Sequence, residues 1–186
     1  MRVYVVTEDT VDTELLGALL PEDLAAEVQI VPAGRLSEAL AMARSILASR
    51  RVPVVLLANS HTTWPELIQE TEVDLESLLQ IASGGVPCRV VLAVPELEAA
   101  LFESRDILEN ILAIQIPPTT AVRAEANPRQ ALEELFLAQD RIKNMRQLLG
   151  AMTSAELNRL RDTQAVAGLN GFLHQVSSPS RQRASA

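Results

Sequence analysis

The stretch VPVVLLANSHTTW, residues 52–64, decides the fold. It opens with an apolar run rich in Val and Leu from Val52 to Ala58 and stops abruptly in the polar turn Asn59-Ser60-His61-Thr62. A run this continuous, without polar alternation, predicts a strand buried on both faces, as in a parallel sheet covered by helices. Working outward, Val3–Thr7, Val28–Val31 and Arg89–Val94 read as further strands, and the shorter Ala113–Ile116, closed by Pro117 and Pro118, as a candidate fifth. Helical stripes lie between them. Val11, Leu15, Ala18 and Leu19 mark one, and Leu36, Leu40, Ala43 and Leu47 the next. A third helix covers residues 72–82 and stops at Gly84, and a fourth starts near Glu96 behind Pro95. The alternation predicts an α/β, Rossmann-like fold: a mostly parallel, four-stranded sheet with right-handed crossovers, flanked by helices.

The pattern changes after Pro117. Asn127-Pro128 is a helix start, with a capping side chain and then proline in the first helical position. The spacing of Leu132, Leu135, Phe136, Ile142, Met145 and Leu149 predicts one long helix ending at Gly150. Thr153 and Glu156 form a capping box for a second helix to about Leu173. The expected organisation is an α/β domain at 1–118, a C-terminal helical hairpin at 119–175 and an unstructured polar tail at 176–186. The hairpin's apolar stripe either covers the sheet or joins a protein partner or a second copy as a homodimer.

The totals exclude several classes. Among 186 residues, 48% are hydrophobic and only 3% aromatic, so the core is built from aliphatic side chains. A net charge of −8 disfavours a broad nucleic-acid surface, which needs Lys and Arg. Cys88 is the single cysteine, leaving neither a disulfide framework nor a thiolate zinc site. No apolar run reaches membrane-span length, and early acids argue against a secretory signal, so a cytoplasmic location is expected. Phosphate-loop, GxGxxG, GxSxG and HExxH patterns are missing from the sequence.

In an open parallel sheet, ligands gather beyond the carboxyl ends of the strands. That rim collects Glu8, Asp9 and Asp12 after the first strand, and Gly34 and Arg35 after the second. It collects Asn59, Ser60 and His61 after the third, and Glu96 and Glu98 after the fourth. Carboxylates converging there repel unless a cation sits between them, and Mg²⁺ or Mn²⁺ is the natural candidate. Glu8, Asp12, Asn59, His61, Glu96 and Glu98 are the candidate metal ligands; Gly34, Arg35 and Ser60 are candidate ligand-binding residues. Each also has a plainer reading. Asp9 and Asp12 cap a helix, Gly34 only turns the chain, Glu96 and Glu98 are first-turn acids, and His61 is a solvated loop residue.

The order of these segments resembles a Toprim domain, the module of topoisomerases, bacterial primases and OLD-type nucleases. VVTEDTVD resembles the family's first strand and Glu-Gly-x-x-Asp, with Glu8 as the signature glutamate and Asp12 as the trailing aspartate. IVPAGRLSEALAMARSIL resembles the second strand, glycine turn and helix of OLD-like members, and VVLAVPELEAALF a strand-Pro-Glu-x-Glu segment of small Toprim-like proteins. The resemblance covers roughly residues 3–112 and sets VPVVLLANSHTT where the family carries its Asp-x-Asp. It implies Mg²⁺ held by those aspartates and acid–base work by the glutamate. Here Asp9 stands in the place of the glycine, and Asn59 and His61 stand in the two Asp-x-Asp positions, which removes two negative charges.

Three functions follow as expectations. The first is a degenerate Toprim-like protein, non-catalytic or weakly active, serving as a binding or assembly module in DNA maintenance or defence. The second is an active metal-dependent phosphodiesterase or nuclease with Glu8 and His61 as catalytic residues. The third is an α/β protein that binds a small ligand at the rim.

Overall fold

The computed structural model describes residues 2–183. Four strands, β1 (Val3–Thr7), β2 (Val28–Pro32), β3 (Val54–Asn59) and β4 (Cys88–Ala93), form one parallel sheet in the order β2-β1-β3-β4. All of β1 and β3 is buried, as their unbroken apolar runs require. The helices are α1 (Thr10–Leu19), α2 (Glu22–Ala25), α3 (Leu36–Arg50), α4 (Pro65–Ser83), α5 (Ala99–Glu103) and α6 (Arg105–Leu112). Beyond these come α7 (Pro118–Ala124), α8 (Pro128–Leu137), α9 (Met145–Gly150), α10 (Ser154–Arg161) and α11 (Gln164–Arg183).

The period-2 geometry of the strands divides the core in two. Tyr4, Val6, Val54, Leu56, Ala58 and Val90 point to one face and pack on Ala39, Ala43 and Leu47 of α3 and Leu75 and Leu79 of α4. Val3, Val5, Val55, Leu57, Val91 and Ala93 point to the other and meet α1, α5, α6 and the C-terminal helices. Each fully buried leucine, such as Leu56 or Leu57, contributes about 2 kcal/mol. The C-terminal apolar stripe is spent within the chain. Leu132, Phe136, Met145, Leu148, Leu160, Leu169 and Leu173 belong to the same continuous cluster as β1 and β3.

The expected fifth strand does not form. Ala113 adopts a left-handed conformation (φ 55°) that closes α6. The Ile116 N–H then donates to Glu109 Oε1 at 2.8 Å, and its carbonyl accepts from Arg105, so side chains of α6 satisfy this backbone and no strand does. The helix expected from Glu96 begins at Ala99 and breaks at Ser104 into α5 and α6. The expected helical hairpin is five helices. Gln139 Oε1 accepts from the backbone N–H groups of Arg141 (2.6 Å) and Ile142 (2.9 Å), which folds residues 138–144 into a loop between α8 and α9. Asn144 then caps α9 by accepting from the Gln147 N–H at 3.0 Å. The Thr153–Glu156 capping box forms as read. The last helix runs on to Arg183, into the segment expected to be an unstructured tail; residues 184–186 of that tail lie outside the described residues. No helix among the described residues is long and apolar enough to cross a membrane.

Candidate functional site

At the carboxyl ends of the strands the loops after β1, β3 and β4 converge on the start of α8. Glu8 follows β1 and is almost wholly buried (9% exposed); its Oε1 accepts the backbone N–H of Asn59 at 2.7 Å. Asp9 sits in extended backbone (φ −143°), which any residue adopts, so no glycine is needed there. Its Oδ1 caps α1 by accepting from the N–H groups of Val11 (2.8 Å) and Asp12 (3.0 Å). Asp12 lies in the first turn of α1 with its side chain 1% exposed.

Asn59 ends β3 and is buried. Its Nδ2 donates to Asp12 Oδ2 at 3.0 Å, and its Oδ1 accepts the Leu97 N–H at 3.0 Å. Both ends of the amide are therefore engaged, one by an acid and one by the loop after β4. An aspartate here would keep the Leu97 bond but set a second carboxylate oxygen against Asp12.

The cation among these acids is Arg129, the second residue of α8. Its Nε donates to Glu98 Oε1 at 2.6 Å, one terminal nitrogen to Asp12 Oδ1 at 3.1 Å, and the other to Asp9 Oδ2. Its backbone N–H donates to Glu96 Oε2 at 3.0 Å. One planar guanidinium thus joins three carboxylates, two of them 1% exposed. Burial pushes the Asp12 carboxyl up to about 7, reinforced by the charges of Asp9 and Glu98 and opposed by Arg129 and the Asn59 amide. Burial likewise raises Glu98 against the pull of Arg129. Burial also raises Asp9, but the backbone N–H of Asp12 and the Arg129 guanidinium outweigh it and hold Asp9 below the usual carboxylate range. Arg129 is shifted upward: burial lowers it, and Glu98 and Asp9 more than offset that.

The remaining rim residues lie further out. His61 has a left-handed backbone (φ 51°); its N–H donates to the Pro95 carbonyl at 2.9 Å, and its exposed ring brings Nδ1 to 3.5 Å from Glu96 Oε1. Ser60 Oγ donates to the Thr62 carbonyl at 2.8 Å and serves the turn. The Gly34 N–H donates to the Glu8 carbonyl at 2.6 Å, and its φ of 115° is the reason for glycine at this turn. Arg35 is the N-cap residue of α3 with an exposed side chain, and no bond joins it to the acids among the described residues.

Glu8, Asp12, Asn59 and Glu98 are therefore brought into one network, with Glu96 and His61 at its edge. Sequence reasoning omitted Arg129. Its signal was a basic residue in the first turn of a helix, against the macrodipole, directly after Asn127-Pro128.

No family profile matches the chain, and no curated protein matches it. Among solved structures, the C-terminal region of the OLD protein of Xanthomonas campestris pv. campestris is similar, with a TM-score of 0.57 at 11% identity. The likeness covers 97% of this chain and 98% of that one, so it takes in the C-terminal helices as well as the sheet. The fold is thus Toprim/OLD-like.

Toprim/OLD-like domains generally bind Mg²⁺, and the residues here do not fit one. Both oxygens of Asp9 and of Asp12 are already bonded, Glu98 gives one oxygen to Arg129, and the guanidinium's positive charge stands between them. Glu98 Oε2 is buried without a partner, but it is a single oxygen. Among the described residues no group of three or more His, Cys, Asp or Glu is arranged to hold a metal ion.

Proposed function

We propose that this chain is a non-catalytic, or at most weakly active, binding and assembly module of nuclease ancestry. The observation that carries this reading is the Arg129 guanidinium bonded to Asp9, Asp12 and Glu98 where the acids of the rim converge. Metal-dependent phosphodiester cleavage needs cations that clamp the attacking and leaving oxygens. A guanidinium balances charge but has no open coordination position and does not acidify a water as a metal ion does. Asn59 and His61 at the end of β3 support the same reading, since a spent amide and an exposed imidazole take the place of two carboxylates.

Titrating Mg²⁺ and Mn²⁺ into the protein, with melting temperature and plasmid nicking as readouts, tests this. The expected outcome is no saturable thermal shift and no nicking at millimolar metal. Nicking that requires Mn²⁺ and disappears in Glu8→Gln would make the protein an active nuclease and overturn the reading.

A further inference from the structure

We propose that the outer face of α4 is a docking seam for a basic amphipathic helix of a partner protein. The proposal names the partner of the module described above and rests on that reading for the claim that assembly is the chain's role. Residues 64, 67, 71, 74, 78 and 81 follow the alternating three-and-four spacing of one helix face. Four of them are large and apolar yet exposed: Trp64 (69%), Leu67 (45%), Leu78 (37%) and Ile81 (76%). The adjacent face of the helix, through Leu75 and Leu79, already fills the core, so full burial of this exposed stripe needs a second molecule. Thr71 and Asp74 lie between the two apolar ends of the seam.

Charge selects the occupant. Residues 65–83 carry Glu66, Glu70, Glu72, Asp74 and Glu76 and not one Lys or Arg. Glu66 and Glu70 flank the seam and Asp74 lies within it; no ion pair engages any of the three among the described residues. A second copy of this chain, laid antiparallel on the seam, would set acid against acid. A helix with apolar seam residues, one basic residue opposite Asp74 and Lys or Arg on its flank satisfies both the apolar stripe and the charge. The seam starts at Trp64, two residues beyond Thr62 of the Asn59–Thr62 turn, so its occupant would sit beside the rim.

Trp64 is the chain's single tryptophan, which makes the seam its own reporter. The probe is a synthetic helix, free of Trp and Tyr, with Leu in its seam, one Arg at the centre and Lys on its flanks. Titrated into the full chain, it is expected to shift Trp64 emission to the blue saturably. Leu67→Asp or Ile81→Asp, both at exposed positions, should weaken binding about tenfold or more with unchanged circular dichroism. Glu66→Lys with Glu70→Lys should transfer the preference to a Glu-flanked peptide. Equal binding of a scrambled peptide, or undiminished binding by Leu67→Asp, would overturn the proposal. So would a dimer in sedimentation equilibrium that Ile81→Asp dissolves, which would assign the seam to a second copy. The metal and nicking assays read the rim alone, so they fail or succeed independently of this one.

Discussion

Arg129 is where the chemistry of single residues matters most. Removing it leaves Asp12 and Glu98 buried beside each other without a counter-charge, a situation that costs about 3–5 kcal/mol. Arg129→Met, which keeps most of the volume, should therefore lower urea stability by roughly that much at pH 8. The loss should be smaller at pH 5, where the two raised acids hold protons more readily; an equal loss at both pH values would contradict the account. Asp12 makes a separate prediction with a definite sign. Its folded value of about 7 lies above the roughly 3.9 of an unfolded aspartate, so the folded chain binds more protons between them. Asp12 thus lowers stability as pH rises through that window, by at most about 1.4 kcal/mol per unit, and levels off above it. Asp12→Asn should remove this component, so the difference in unfolding free energy between variant and wild type should grow in the variant's favour from pH 4 to pH 7. A difference independent of pH would show that Asp12 is ionised throughout.

Among the elements, caps and side-chain-to-backbone bonds settle boundaries that periodicity alone misreads. Thr153→Ala removes the side-chain half of a working capping box, leaving the residue 153 backbone N–H on Glu156, and should cost about 1 kcal/mol in thermal or urea unfolding. Gln139→Ala should cost about 1–3 kcal/mol, because the Arg141 and Ile142 N–H groups lose their acceptor and the loop between α8 and α9 loosens. An effect below about 0.3 kcal/mol in either variant would mean that solvent replaces those bonds. The same residues explain what sequence reading resolved. β1 and β3 were legible because their apolar runs are continuous and buried on both faces, and α8 starts at Pro128 as the residues indicated, although Asn127 makes no side-chain cap bond. The break after Leu137 was not legible, because the apolar spacing continues across it and the break depends on how a glutamine side chain folds back. Ala113–Ile116 looked like a strand because it is a short apolar run closed by Pro117 and Pro118, but the backbone partners of Ile116 are Arg105 and Glu109, which a linear pattern does not reveal. At the rim, the acids and Asn59 were legible from strand ends, whereas Arg129 arrives from about 120 residues away in sequence, beyond any local motif.

Over the whole molecule, the C-terminal helices are part of the sheet's core and not an appendage. Leu132, Leu148 and Leu173 share one cluster with Val5 and Leu57, and Arg161 donates to the carbonyls of Leu19 and Leu20 at the end of α1. A chain cut after Glu125 exposes that entire apolar face. It should fail to give a cooperative transition, whereas the intact chain should unfold in a single step by calorimetry. Arg129 belongs to this scale too, since it ties α8 to the loops after β1 and β4 while standing between their acids. The most direct test is calorimetric titration of Mn²⁺ into the wild type and into Arg129→Ala combined with Asn59→Asp, under conditions where circular dichroism shows both folded. No saturable heat is expected for the wild type, and millimolar or tighter binding for the double variant. Wild-type protein that binds Mn²⁺ as tightly as the variant would contradict this expectation.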